Sequence, residues 1–349
     1  MPHGPLRLLI GLACAVIVIY GMRYAAGVLN PILLALFIVM AMTPSIRWLR
    51  GKGVPSWATL VIMLVFVLVV GLLFTSVLAV SLFQFQAKIP AYTDRLETLY
   101  SSIDSWLTSH GVDAGDLLGS LLSPAKLAGI ATGVVSGIIN AFGNVLLMFL
   151  VVIFMIAEIF QFPAKLELRF GSESRFHKAA GVFGQETRSY LFMKTWLALI
   201  PAAINTAVFY ALGVDFPLLW GMLFFLLSYI PNIGFILSII PPFAVTLLEQ
   251  GFVRAIIVVA IIIVINFIID SLVSPRIMGR GVGLTPLAVL LSLIVWAWVF
   301  GPVGALMSVP LTILVKRLFF ENFEGTQFLS DALSSRPRSR EPAGPTRPE

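Results

Sequence analysis

Two long apolar stretches constrain the fold of this chain more than any other feature of the sequence. They are Pro217–Leu248 and Pro286–Arg317, and each contains 32 residues. One straight helix of that length would reach roughly 48 Å, whereas the hydrocarbon layer of a membrane is about 30 Å thick. Both stretches also contain proline and glycine, which end or kink helices. We therefore predict that each stretch is a broken-helix hairpin rather than one straight crossing.

The breaks fall at corresponding places in the two stretches. The residues concerned are Pro231, Asn232, Gly234, Pro241 and Pro242 in the first and Pro286, Gly301, Pro302, Gly304 and Pro310 in the second. A broken helix at membrane depth needs protein or a wet cavity to satisfy its freed backbone groups. A matched pair of such breaks indicates a site at which unpaired amides and carbonyls point to a common place. Ordinary kinks and tight turns are the alternative.

The composition places the chain in a membrane. Hydrophobic residues make up 59% of it and charged residues 11%, whereas about 25% charged is usual in soluble domains. Apolar runs predict further helices at 6–22, 26–43, 57–83, 134–160, 192–212 and 253–270. With the two hairpins, the fold class is an all-α polytopic membrane protein with about eight membrane segments. An arrangement with eight or more full crossings is the alternative.

The helices before the two hairpins indicate an internal repeat. Helix 192–212 precedes the first hairpin and helix 253–270 precedes the second, and in this topology the two helices run in opposite directions. Two units of opposite orientation form an inverted repeat. Such a repeat places a site near the middle of the membrane and permits alternating access.

The distribution of basic residues predicts the orientation. In this topology only five of the 23 Lys and Arg residues lie outside, namely Arg23, Lys88, Arg95, Lys126 and Arg254. Cytoplasmic loops carry an excess of Lys and Arg. Both termini are therefore predicted to be cytoplasmic.

The chain divides into membrane and non-membrane segments. These are N-terminal membrane helices that could act as a scaffold (1–83), an extracytoplasmic amphipathic segment (84–130), a fourth membrane helix (131–160), a basic cytoplasmic segment (161–191), a transport core (192–318) and a disordered cytoplasmic tail (319–349). In the second segment, Leu96, Leu99, Ile103, Trp106 and Leu107 share one helix face. That face is predicted either to cover an entrance or dock a partner, or to pack on its own bundle.

Polar residues inside apolar runs are costly and usually have a purpose. Asn205, Asn266 and Asp270 lie in the helices before the hairpins, and Asn266 and Asp270 are four residues apart, as on one helix face. Asp270 is the candidate for exchanging a proton or holding a cation. The alternative is a structural anchor at the membrane boundary, paired with Arg276 or Arg280. Asp215 is expected only to cap the first hairpin.

The sequence lacks the motifs of ATP-driven pumps and metalloenzymes. It contains no Gly-x-x-x-x-Gly-Lys-Ser/Thr loop and no His-Glu-x-x-His pair, and none of its three histidines lies in a predicted span. We therefore expect no cofactor, no metal site and no enzymatic activity. A passive channel or a scaffold for envelope machinery is the alternative class, although these spans lack the continuous polar lining of a channel.

Several motifs resemble one known family. They are Ser228–Gly234, Pro241-Pro242, Ser274–Gly279, Gly283–Pro286 and Gly301–Gly304. Together they resemble the autoinducer-2 exporter family, the PerM-like permeases, over roughly residues 6–320. The motifs add Pro275, Arg276 and Gly279 to the candidate solute or ion pathway.

The resemblance implies a multi-pass protein of the bacterial inner membrane. Members of that family are associated with export of the signal molecule autoinducer-2, and others with sodium or lithium efflux against protons. We expect a secondary transporter of a small polar solute coupled to ions or protons, and a Na⁺(Li⁺)/H⁺ antiporter is the alternative. The expected partners are that solute or a monovalent cation and protons, membrane lipids and further copies of the chain, but no nucleic acid.

Overall fold

The structure of the protein is a computed structural model that describes most of the chain. The described residues are 4–110, 145–158, 174–231, 233–278 and 284–321, with isolated positions at 129, 132, 133, 136, 137, 165, 167–169, 171 and 333. Helices fill these ranges, and no strand occurs in them. The fold is therefore the predicted all-α polytopic membrane fold.

The helices are numbered in chain order. The first five are α1 (Gly4–Tyr24), α2 (Ala26–Gly51), α3 (Ser56–Ser109), α4 (Val145–Glu158) and α5 (Arg175–Ala211). In the described part of the chain the remaining seven are α6 (Pro217–Leu227), α7 (Ile233–Gln250), α8 (Phe252–Ile268), α9 (Ser274–Met278), α10 (Pro286–Phe300), α11 (Pro302–Leu306) and α12 (Ser308–Val315). A π-helical turn follows α8 at Ile269–Val273, and another follows α12 at Lys316–Phe320.

Among the described residues, five helical stretches are long and apolar enough to cross a membrane. They are Ala26–Gly51, Ser56–Ser109, Lys178–Ala211, Ile233–Gln250 and Phe252–Arg276. Four shorter apolar helices accompany them, among them Pro217–Leu227 and Pro286–Phe300. Many large apolar side chains on these helices are exposed, such as Leu73 at 61% and Phe267 at 70%. Exposed apolar side chains suit a surface solvated by lipid, so the chain is an integral membrane protein.

The chain forms two compact units. Unit 1 comprises Met1–Gly53, Val151–Lys194 and Arg276–Glu349, and unit 2 comprises Val54–Leu150 and Thr195–Pro275. The first predicted hairpin belongs to unit 2 and the second to unit 1. The division into segments predicted from the sequence stays a prediction.

Unit 2 is built around aromatic and aliphatic side chains of α3, α5, α6, α7 and α8. Phe209 is fully buried, and Leu219, Trp220 and Phe224 are nearly so. Phe85 of α3 adds an edge-on ring contact to Trp220, with 5.4 Å between the ring centroids. This packing fixes α6 against α3, because large aromatic side chains bury the most area per residue.

Among the described residues of unit 1, two apolar clusters lie around the second hairpin. In one of them, Val299, Phe300, Met307 and Leu311 are buried, and side chains of α1 and α2 pack against them. In the other, Ala288, Val309 and Ile313 pack with Leu191 of α5. The second hairpin is therefore enclosed by helices on more than one side within this unit.

Contacts between residues far apart in sequence show that both broken stretches fold back on themselves. The rings of Phe224 and Phe235 are 6.2 Å apart, although eleven residues of straight helix would separate them by about 16 Å. The indole nitrogen of Trp296 donates a hydrogen bond of 3.0 Å to the Thr312 hydroxyl. Sixteen residues of straight helix would separate that pair by about 24 Å. The predicted hairpins are confirmed in both stretches.

Helix α3 is longer than the predicted span of 57–83. It continues to Ser109 without a break, so the amphipathic stretch that begins at residue 84 extends the third helix. Leu99, Ile103 and Trp106 of the predicted apolar face are exposed among the described residues. The expected packing of this face on its own bundle is therefore not observed in the described part of the chain.

Candidate functional site

The first break lies between α6 and α7. After Leu227 the chain makes a tight turn through Pro231, in which the Ile230 amide donates to the Leu227 carbonyl over 2.9 Å. Helix α7 begins at Ile233, and Gly234 packs directly on that same carbonyl, where a methyl group would overlap it. Only glycine has no side chain to collide there.

The second break repeats this arrangement with different residues. Helix α10 ends at Phe300, Gly301 turns the chain with φ +64° and ψ −142°, and Pro302 begins α11. Gly304 then packs on the Trp296 carbonyl, where a methyl group would again overlap backbone atoms. Each break therefore carries a glycine in the turn after it that touches a carbonyl of the helix before it.

Prolines shape the helices on both sides of the breaks. Pro217 and Pro286 are the first residues of α6 and α10, positions that need no backbone N–H. Pro241 and Pro242 lie inside α7, and Pro310 lies buried inside α12. A proline inside a helix leaves the carbonyl four residues earlier without its usual donor. Within α7, Pro241 and Pro242 thus leave the Leu237 and Ser238 carbonyls without that donor, whereas Pro310 lies in the first turn of α12, where no such donor is needed.

Asn205 is the most unusual polar side chain in unit 2. It is fully buried in α5, and neither its amide oxygen nor its amide nitrogen has a hydrogen-bond partner in the described part of the chain. One residue later, Thr206 lies against α6, where a methyl group at Gly221 would overlap its hydroxyl. A buried amide without partners is costly, so the site suits a polar ligand that would satisfy it.

Asn266 and Asp270 occupy different environments in spite of their spacing. Asn266 is 8% exposed, and its amide nitrogen donates to the Ile262 carbonyl over 2.8 Å. Asp270 lies in the π-helical turn that follows α8 and is exposed, as are Pro275 and Arg276. The two side chains, which the spacing places on one helix face, therefore differ in exposure. The extra residue in a π turn shifts the register of side chains along the helix.

Two candidate residues, Asn232 and Gly279, lie outside the described residues, and so does Arg280. Of the candidates that the structure describes, those up to Pro275 belong to unit 2 and those from Arg276 onward belong to unit 1. The meeting of both breaks at a common point stays a prediction.

Asp215 has a larger role than the expected helix cap. The N-cap position of α6 is Phe216, with φ +56° and no side-chain cap. The Asp215 carboxylate instead accepts from Lys88 over 2.7 Å and from the Tyr92 hydroxyl over 3.0 Å. Its backbone carbonyl accepts from the Trp220 indole over 2.7 Å. Asp215 therefore ties the second half of α3 to the start of the first hairpin.

A second ion pair acts at the other end of this hairpin. Arg95 of α3 pairs with Glu249 over 2.5 Å, at the end of α7. Sequence reasoning missed both contacts, because pairings across more than a hundred residues leave no local pattern. A local signal exists on α3 alone. Its residues Lys88, Tyr92 and Arg95 are four and three positions apart, which is the spacing of one helix face.

The described geometry defines a polytopic helical membrane protein with two broken-helix hairpins of matched design. Comparison with known proteins agrees with that class. The AI-2E family transporter pattern matches residues 12–322. The AI-2 transport protein TqsA of Escherichia coli is 34% identical over 94% of this chain and 96% of its own length.

Two further relatives also match this chain along most of their length. The putative transport protein YhhT of Escherichia coli is 31% identical over 97% of each chain. A putative transport protein of Haemophilus influenzae is 30% identical over 89% of this chain and 91% of its own. The chain belongs to the AI-2E transporter family, and the predicted resemblance is confirmed. The members of this family are transport proteins and not enzymes.

Proposed function

We propose that this protein is a secondary transporter that exports a small polar solute such as autoinducer-2 by alternating access, driven by an ion or proton gradient. The observation that carries the proposal is the pair of hairpins, each with a glycine packed on a carbonyl of the preceding helix. Broken helices in corresponding positions of a repeat are typical of transporter binding sites. We assign the pathway to these breaks.

Asn205 supports a neutral polar solute. Its buried amide offers both a donor and an acceptor that nothing in the described residues uses. A hydroxyl-bearing molecule can satisfy both groups, since a hydroxyl donates and accepts. The name of the TqsA relative gives autoinducer-2 as the first solute to test.

The basic residues support the membrane and the orientation. Only five of the 23 Lys and Arg residues lie on the outer side of the proposed topology. We therefore assign the protein to the bacterial inner membrane with both termini in the cytoplasm. The Asp215 and Arg95 pairs then lie on the outer side.

A Na⁺(Li⁺)/H⁺ antiporter is the second candidate, and Asp270 is the observation that favours it. This carboxylate is exposed on an otherwise apolar stretch, next to exposed Phe267 and Leu272. A carboxylate within an apolar helical stretch is a candidate for coupling, because ionisable residues in such stretches commonly mark ion and proton pathways.

The test is transport by the purified protein in proteoliposomes. A proton gradient is imposed, internal pH is followed on addition of autoinducer-2, sodium or lithium, and solute flux is measured in parallel. Asp270→Asn is compared with Asp94→Asn, a matched change at an exposed carboxylate on the α3 extension.

The proposal predicts saturable autoinducer-2 flux in the wild type and in Asp94→Asn. Proton movement that is triggered by sodium or lithium alone and lost only in Asp270→Asn would establish the antiporter instead. Linear flux that never saturates would indicate a channel and would contradict the proposal.

A further inference from the structure

Asn30 of α2 bonds to the backbone of the second break. Its amide nitrogen donates to the Phe300 carbonyl over 3.2 Å, across 270 residues of sequence. Phe300 is the last residue of α10, and the final carbonyls of a helix have no partner within that helix. A side chain from another helix therefore satisfies the carbonyl that directly precedes the Gly301 turn.

The surroundings of this bond come from the N-terminal helices. Leu29 and Leu33 of α2 pack on the buried cluster that contains Phe300 and Met307. Trp298, just before the break, has the Tyr20 ring at 5.4 Å and the Arg23 guanidinium at 4.2 Å, both from α1. Within unit 1, side chains of α1 and α2 thus contact Trp298 and Phe300, the residues that lead into the break.

Asn30 also lies in an apolar helix, where an amide is costly without partners. Its Oδ1 atom is buried and has no partner among the described residues. Apolar packing alone would be met better by leucine at this position, since leucine has the same number of side-chain heavy atoms and none of them is polar. The amide therefore serves a purpose other than packing.

We propose that Asn30 is a positioning residue of the transport site. It holds the carbonyl end of α10 and so fixes the geometry of the Gly301 break. The N-terminal helices, which the sequence suggests are a scaffold, then contribute this one residue to the transport site. This inference rests on the proposed function, because it assigns the second break to the solute pathway.

The test compares Asn30→Leu with Leu33→Ala. Asn30→Leu removes the hydrogen bond and keeps the branched arrangement of four side-chain heavy atoms, whereas Leu33→Ala removes packing on the same cluster and keeps the hydrogen bond. Thermal midpoint, amount inserted and flux per inserted molecule are measured for both. If Asn30 positions the break, Asn30→Leu should lose at least tenfold in flux. Its thermal midpoint should be no lower than that of Leu33→Ala. Leu33→Ala should keep flux within twofold of wild type.

Hydrogen exchange gives a readout that needs no solute. In Asn30→Leu, peptides over residues 299–307 should exchange at least fivefold faster than in the wild type. Peptides over residues 227–234, at the other break, should be unchanged. The inference is overturned if exchange at 299–307 does not change, if both breaks exchange faster together, or if Asn30→Leu keeps wild-type flux.

The two readouts separate this inference from the proposed function. If the wild type carries none of the tested solutes, the proposed function fails, and exchange at residues 299–307 still decides whether Asn30 holds the break. If the wild type transports a tested solute and Asn30→Leu transports it equally well, the positioning role fails and the proposed function stands.

Discussion

Gly304 packs on the carbonyl of Trp296, so that a methyl group at this position would overlap backbone atoms. Gly234 has the same relationship to the carbonyl of Leu227 in the other hairpin. Backbone atoms inside a packed helix cannot move aside as a flexible side chain can. Both breaks therefore depend on glycine for their geometry.

Alanine at either of these glycines should disable transport. Gly234→Ala and Gly304→Ala force the two helices of a hairpin apart, at a cost of about 1–3 kcal/mol for overpacking. We expect at least a tenfold loss of flux in proteoliposomes. The amount of protein inserted into the membrane and its thermal midpoint in detergent should show that the variants still insert and fold. Gly21→Ala is the matched control, since a methyl group there meets nothing within 4 Å. Flux at the wild-type level in both hairpin variants would rule out this role.

Gly221 provides a contrasting case, because the atoms it meets belong to a side chain. A methyl group there would overlap the Thr206 hydroxyl, and Thr206 could be shortened to make room. Gly221→Ala should destabilise unit 2 by about 1–3 kcal/mol, and adding Thr206→Ala should restore part of that loss. A double-mutant cycle of thermal midpoints measures the coupling. Additive effects of the two changes would mean that α5 and α6 do not pack closely here.

Gly301 is constrained by its own backbone rather than by its neighbours. Its φ of +64° lies in the region that favours glycine, and nothing lies within 4 Å of an added methyl group. Gly301→Ala should therefore cost about 1–3 kcal/mol through backbone strain alone. Thermal unfolding in detergent tests this, again with Gly21→Ala as the control. A thermal midpoint unchanged from wild type would show that the turn is not needed.

Much of the fold follows from local sequence patterns. Apolar runs and their punctuation predict the helices and both hairpins, because Pro217, Pro286 and Pro302 begin helices where helix chemistry allows them. The continuation of α3 to Ser109 was not predicted, since the end of an apolar run does not require the end of a helix. Sequence hydropathy reports where lipid ends, whereas helix length depends on backbone hydrogen bonds.

The site is less predictable than the fold. The sequence singles out Asn205, whose burial without a hydrogen-bond partner in the described residues then emerges from the structure. Asn30 carries the same signal, a polar residue in an apolar run, and was nevertheless overlooked. Its partner is a backbone carbonyl 270 residues away, which no local pattern can indicate. The link from Asp215 to Tyr92 was missed for the same reason.

The Asp215 link should make stability depend on pH in the alkaline range. Burial, together with the hydrogen bond to Asp215, raises the pKa of Tyr92 above its ordinary value of about 10. The unfolded chain then loses this proton at lower pH than the folded chain does. The stabilisation is complete below about pH 10 and declines above it, by up to about 1.4 kcal/mol per pH unit.

Tyr92→Phe tests that dependence directly. Phenylalanine keeps the ring in its buried place and removes the titrating hydroxyl, so the alkaline decline should become shallower. It should also lower stability near pH 8 by about 1.5–3 kcal/mol, the contribution of a hydrogen bond to a charged group. Thermal midpoints from pH 7 to 11 provide the comparison, and identical pH profiles in the two proteins would show that Tyr92 does not contribute.

Solute counterflow is the most direct test of a carrier that works through two paired breaks. Proteoliposomes are loaded with unlabelled autoinducer-2, and the entry of labelled autoinducer-2 is measured without an ion or proton gradient. We predict that internal solute accelerates entry, and that Gly234→Ala and Gly304→Ala abolish the acceleration while Gly21→Ala keeps it. Entry that internal solute does not accelerate, or acceleration that survives in both hairpin variants, would contradict the account.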